Sequence, residues 1–408
     1  MTGSATDARR QPSSWSLPAW AGAGLALHLL LWRISEPPTL FSDFYKAYYP
    51  AGRALLEADP QAAWSRLEPG VGGFVNVPVM AWLFVPFARF DAPWAGWIFL
   101  CLGALAAMAS WLLMARRLLA PAIAGLMLFL FLVDGPMVNS LREGNTTHMA
   151  FLLVVAALIL WKTDRGFLAG MLLAAAAVVK IPLLLLGVYF LLRRNWSVVG
   201  GGAAGLALVA LLSLAVHGLA ANVAWYDNSI APYLGRAVAA FNVQSVDGFM
   251  IRLSAGAEGL FDWTAREIPP VHKVARLIVF ASTAAAFLWI TRCHRIRRPA
   301  SDGRDRLEFV LIVMIAIVLS PISWSHYYMF FLLPFGLYLS GSLALADDRA
   351  TRWLMWGGFA LTALPVVLLP VDSDEILEVW ARSGVSAHLV GGMVMLVAMF
   401  RAAARAAR

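Results

Sequence analysis

The chain is short of charge. Of its 408 residues only 14% are Asp, Glu, Lys or Arg, whereas a soluble domain carries about 25%. With 61% hydrophobic residues, most of it has to sit in lipid. Two cysteines, Cys101 and Cys293, are too few for a disulfide framework. The seven histidines show neither HxxxH nor HExxH spacing, so no zinc site is expected. There is no GxSxG elbow and no P-loop, which sets aside a nucleophile-elbow hydrolase and a phosphate-cradling NTPase. No internal repeat and no low-complexity tract is visible.

What is present is a series of apolar runs near 17–33, 93–114, 117–134, 148–162, 198–217, 275–292, 307–321, 327–345, 352–370 and 385–402. About 20 residues at 1.5 Å each cross the hydrocarbon. Residues 166–193 form one apolar block broken at Lys180-Ile181-Pro182 with charge at both ends, the pattern of a hairpin with Lys180 at its tip. The stretch 74–90, with Pro78 and Pro86, reads as short or re-entrant. The net charge of +8 suggests nucleic acid until its placement is read. The basic residues cluster in short turns, as the positive-inside rule requires, and no nucleic-acid partner is expected. The predicted protein is an all-α polytopic membrane protein with about twelve crossings. It is expected to be a single domain, 1–408, with cytoplasmic tails at 1–16 and 403–408 and larger external loops at 34–73 and 218–272. The first apolar run reads as a retained anchor.

Ionisable groups in or near a bilayer are costly and point to function. On this topology Asp43, Glu143, Lys180, Asp247 and His326 all fall on the outer side. Asp43 lies in "FSDFYKAYYPAGRALLEAD" among Tyr45, Tyr48 and Tyr49, with no second aspartate two residues away. It reads either as a helix cap or as a general base beside aromatic rings suited to sugars. "SLREGNTTH" offers Arg142 and Asn145 just before an apolar span, as a capped loop or an anion site. Lys180 either snorkels to the interface or offers a point charge to a phosphate. "SPISWSHYYMFFLLP" brings Trp324, His326 and Tyr327 together, and "FNVQSVDGFMIRL" holds Gln244 and Asp247 in a long loop.

This ordered set resembles glycosyltransferase family 87, integral-membrane enzymes of the GT-C fold class, over roughly residues 40–335. Where many relatives carry Gln in the Gly-Gln/Asn element, this chain has Gly144-Asn145-Thr146-Thr147. The resemblance implies an inverting transfer of a hexose, mannose first and arabinofuranose as the rival, from a polyprenyl-phosphate donor to a glycolipid or glycan acceptor. It implies Asp43 as base and Lys180, His326 and Arg142 on the donor phosphate. Tyr45, Tyr48, Tyr49, Asn145, Gln244, Asp247, Trp324 and Tyr327 are then expected on substrate, with no metal and no cofactor. The expected location is the bacterial cytoplasmic membrane, with the site facing outward. A flippase for lipid-linked sugars would need charges nearer mid-span and a two-fold repeat. A ligase or oligosaccharyltransferase using a diphosphate donor usually carries larger external domains.

Overall fold

The computed structural model describes residues 17–34, 40–58, 63, 67, 72–297, 301–365 and 373–407. The expected tail 1–16 and parts of the loop 34–73 lie outside them. The described residues are helical almost throughout. The strands among them are a two-residue pair, Arg236–Ala237 antiparallel to Arg266–Glu267, in the long loop.

Four helical stretches among the described residues are long and apolar enough to cross a membrane: Ala92–Arg117, Trp196–Tyr233, Pro270–Arg292 and Asp374–Ala406. A fifth crossing arises if Pro121–Val133 and Gly135–Glu143, bent by 50° at Asp134, act as one. The remaining apolar helices among the described residues are shorter, so four or five of the expected dozen crossings are helices of full length. Residues 74–90 form two short 3-10 turns, Pro78–Phe84 and Phe87–Arg89, rather than a spanning helix. The prolines that weakened this stretch in the sequence begin or precede those turns.

Asp302–Val318 lies at the centre of the molecule. Leu307, Phe309, Val310 and Leu311 are fully enclosed, as is Val313, which a helix apolar on all sides requires. Gly166–Val179 and Trp196–Ser229 pack through small residues. A Cβ on Gly170 would collide with the Val198 carbonyl, and one on Gly201 with that of Phe167. Such close backbone approach is how helices associate in lipid, where apolar burial offers no drive. The second of these helices is interrupted at Gly218 (φ 73°) and then continues to Ser229, so helix extends into the expected outer loop.

The broken block is a hairpin. At one end of the molecule Lys162 bonds to Asp302 and Asp305, each at 2.9 Å, and Arg193 meets Asp305 at 2.9 Å. At the other end Lys180 meets Asn145, just before the helix Thr147–Lys162. The chain therefore runs from Arg165 up to Lys180 and back down to Arg193. Asn76 donates to the carbonyls of Val178 and Val179 at 3.4 Å and so steadies the tip.

Candidate active site

Asp43 is placed by an unusual local backbone. Phe41 has φ 62° and donates its N–H to the Arg142 carbonyl (2.8 Å). A five-residue π-helix, Phe44–Tyr48, follows Asp43 directly. Single π turns recur at functional sites because they re-aim side chains. Asp43 has helical φ and ψ and caps no backbone N–H, so the capping alternative does not describe it. The rings beneath it form a core of their own: Phe44 stacks on Phe99 (4.9 Å) and Tyr48 on Phe84 (4.6 Å).

The Asp43 carboxylate instead accepts a bond from Asn145 Nδ2, at 2.6 Å. Gly144 makes that encounter possible. It ends the helix Gly135–Glu143 with φ 68°, and the chain closes as a C-cap in which Asn145 N–H reaches the Ser140 carbonyl (2.8 Å). Asn145 Oδ1 then accepts from Lys180 Nζ (2.9 Å), Thr147 N (3.0 Å) and Thr147 Oγ1 (2.6 Å). Lys180 is 6% exposed, with Nζ 5.1 Å from the centre of the Tyr327 ring. It points inward, so it does not snorkel.

His326 stands across the cluster. Its Nδ1 lies 3.5 Å from Glu143 Oε2, and its buried Nε2 has no hydrogen-bond partner. Asn139 holds the other Glu143 oxygen at 3.1 Å. Burial, then the Lys180 charge, pushes the His326 imidazole down to about 3, so the ring is neutral. Burial, then the nearby Glu143 carboxylate, raises the Asp43 pKa against the opposing pull of His326, the Asn145 bond and Lys180. Asp43, Glu143 and His326 bring ligand atoms within 4.8 Å of one another, close enough to hold a divalent cation. The Lys180 charge acts on Asp43, Glu143 and His326 alike, and an Asn145 N–H occupies one Asp43 oxygen. A built-in ammonium suits an incoming anion better than a metal ion.

All of this opens on a cavity of about 2080 Å³, well above the 300–1,000 Å³ typical of a small-molecule site. Its walls carry two kinds of residue. Asp43, Tyr48, Arg142, Asn145, Lys180, Trp324, His326 and Tyr327 line one part. Leu184, Leu206, Val209, Phe280, Ala284 and Ile315 line an apolar part between helices.

Eight of the twelve expected site residues therefore meet on the cavity. Four do not line it. Tyr45 packs edge-on to Phe41, and Tyr49 donates to the Phe90 carbonyl (3.0 Å). Gln244 is enclosed and spends its amide on the carbonyls of Phe241 (2.9 Å) and Val385 (2.7 Å). Asp247 pairs with Arg276 at 3.1 Å. Their nearness in sequence to polar motifs suggested a substrate role, and packing turns their side chains elsewhere. Glu143 lines the site although the sequence reading gave it no role there. Its one-sided placement was the available signal. Asn76, Trp225, Asn242 and Trp263 also line the cavity, and nothing in their local pattern marks them.

A carboxylate and fixed cationic and imidazole groups, set on an apolar cavity in a membrane-type helical frame, are the equipment of an integral-membrane glycosyltransferase. The chain belongs to glycosyltransferase family 87, whose pattern matches residues 74–321. Arg142, Asn145 and Lys180 lie inside that match, and Asp43 and His326 lie outside it. The chain is 30% identical over 231 residues to a polyprenol-phosphate-mannose-dependent α-(1-2)-phosphatidylinositol pentamannoside mannosyltransferase of Mycolicibacterium smegmatis. That alignment covers 56% of the chain and 51% of the relative, so it spans about half of that protein. It is also 28% identical over 402 residues to a polyprenol-phosphate-mannose-dependent α-(1-2)-phosphatidylinositol mannoside mannosyltransferase of Mycobacterium tuberculosis, covering 90% of the chain and 86% of the relative. A protein of the latter description from Mycolicibacterium smegmatis is 24% identical over 415 residues, covering 88% of the chain and 87% of the relative.

Proposed function

We propose that the protein transfers mannose from a polyprenyl-phosphate donor to a hydroxyl of a glycolipid, with inversion, at the outer face of the bacterial cytoplasmic membrane. The whole chain acts as one GT-C-type domain of about twelve membrane segments, with short interfacial helices outside and both termini inside. One observation carries the reading: Asp43 and Lys180 sit together, with His326, on a cavity that also offers an apolar wall for a lipid tail. The names of the relatives supply the sugar and the lipid phosphate. The orientation draws support from residues 74–90. With those residues not spanning, Ala92–Arg117 is the one membrane-length helix among the described residues between Asp43 and Arg116 and Arg117, which puts the basic pair inside when Asp43 is outside.

The chemistry follows from charge. The acceptor oxygen attacks the anomeric carbon while its proton passes to Asp43, and the bond from that carbon to the phosphate oxygen breaks on the opposite face. The leaving group goes from a phosphodiester to a phosphomonoester and gains negative charge. Lys180, with an N–H of His326 and the Arg142 guanidinium, stabilises that charge as it develops. Attack and departure on opposite faces invert the sugar in one displacement. The polyprenyl chain lies along Leu184, Leu206 and Val209.

The test uses the protein in nanodiscs with polyprenyl-phosphate-mannose and a phosphatidylinositol mannoside acceptor. Polyprenyl phosphate and mannosylated acceptor should appear together with the parent and not with Asp43→Asn. Normal transfer by Asp43→Asn removes the base assignment. Movement of the intact donor across the bilayer without release of polyprenyl phosphate makes the protein a transporter instead.

A further inference from the structure

The Asn145 side chain makes four hydrogen bonds and the residue is 4% exposed. Three donors converge on Oδ1: the Lys180 ammonium, the Thr147 N–H and the Thr147 hydroxyl. They dictate which way the amide faces, because a flipped amide would turn its N–H groups on three other donors. The Nδ2 N–H is thereby fixed on Asp43 Oδ2. The side chain is committed on both sides, which fits a residue acting on its neighbours better than one that reads substrate.

We infer that Asn145 is a positioning residue, a neutral spacer that holds the Asp43 carboxylate and the Lys180 ammonium close without letting them form a direct ion pair. The inference rests on Asp43 acting as the base. A direct pair would tie up carboxylate lone pairs and an ammonium N–H in one contact. With the amide between them, Asp43 keeps Oδ1 for the acceptor hydroxyl. Lys180 keeps two of its three N–H donors for the donor phosphate. The lysine charge still reaches the carboxylate through space and favours its ionised form.

A plain capping role for Asn145 predicts something different, because aspartate caps a helix as well as asparagine does. Asn145→Asp keeps acceptors for Thr147 and Lys180 but turns a carboxylate oxygen towards Asp43. The acid limb of kcat/KM then moves up by about one pH unit or more, since two adjacent carboxylates hold a proton between them. Activity near neutral pH falls at least tenfold and recovers in part at alkaline pH. An unchanged profile, or an equal loss at every pH, overturns the inference. If Asn145→Asp does not fold, Thr147→Val removes one of the donors that orient the amide while preserving shape. It should lower kcat severalfold at unchanged donor KM, and a parental kcat overturns the inference. Activity retained by Asp43→Asn is a separate result, which removes the base itself.

Discussion

Lys180→Met is the sharpest test of the charge argument. Methionine is unbranched and adaptable and fills nearly the same space, so the buried slot stays packed. Removing the ammonium also removes the cost of holding a charge at a site 6% exposed to solvent. Asn145 Oδ1 keeps its two bonds from Thr147, and the fold should survive. The kinetic effect can be sized. At an effective dielectric of about 20, unit charges about 4 Å apart interact by about 4 kcal/mol. The leaving phosphate gains one charge over the reaction, so a half-developed charge at the transition state is worth about 2 kcal/mol. Loss of one fixed donor at an oxyanion site costs about 2.7–4 kcal/mol, or roughly 100–1,000-fold in kcat. A fall in kcat of about 100-fold is expected, read as polyprenyl phosphate released in nanodiscs. The pH dependence adds a second handle. In its proposed role Asp43 works only when deprotonated, and Lys180 favours that form. Without the ammonium the carboxyl keeps its proton to higher pH, so the deficit is largest in acid and narrows as pH rises. A variant that folds and retains kcat within about threefold of the parent refutes the clamp, because no transition-state charge of the expected size then rests on Lys180.

Two substitutions probe what holds the site together. Gly144→Ala forces a side chain into φ 68° and sets a Cβ 2.7 Å from that of Phe44. The backbone alone costs about 1–2 kcal/mol; kcat should fall at least tenfold as Asn145 shifts, while Gly187→Ala, with open space around it, serves as the silent control in the same assay. Arg252→Met strips Nη1 from the carbonyls of Ala239, Ala240 and Val243 and Nη2 from Ser386 Oγ. Each buried carbonyl left unpaired costs about 1–3 kcal/mol. The thermal midpoint should drop, and donor or acceptor KM should rise because Phe241 and Asn242 on that loop line the cavity.

Much of the candidate site was legible because lipid makes misplaced polarity conspicuous. Lys180-Ile181-Pro182 breaks an apolar block with charge at both ends, and the hairpin follows from that alone. Asp43, Arg142, Lys180 and His326 stood out for the same reason, and they do meet on one cavity. The partnership of Asn145 with Asp43 was not legible. It joins residues 102 positions apart, and it depends on a glycine turn and two Thr147 donors that only the folded backbone brings together. Gln244 and Asp247 differ in the opposite direction, since neither lines the cavity. A polar residue in a long loop looks available in sequence, but here one ties the loop to Val385 and the other pairs with Arg276. Helix length was less legible than segment position, since a pattern of apolar runs cannot distinguish a full crossing from two short helices meeting inside the bundle.

The two ends of the molecule hold their buried lysines in different ways, and the contrast bears on function. At the end where Lys162 and Arg193 lie, cations and carboxylates touch: Lys162 with Asp302 and Asp305, Arg193 with Asp305 and Glu308. Tyr189 adds a bond to Glu308 at 3.1 Å. Direct pairing offsets the cost of burial and joins three helices. At the other end Asp43 and Lys180 are near enough to influence each other, yet an amide stands between them. His326 keeps a buried nitrogen unpaired. A structure built only for stability would close those contacts, since an unpaired buried polar atom costs about 1–3 kcal/mol. Leaving them open makes sense where a substrate completes them. A lipid phosphate would satisfy Lys180 and His326, and an acceptor hydroxyl would satisfy Asp43. Binding and the chemistry then draw on the same unmet bonds, and the charge that grows on the leaving phosphate meets donors already in position.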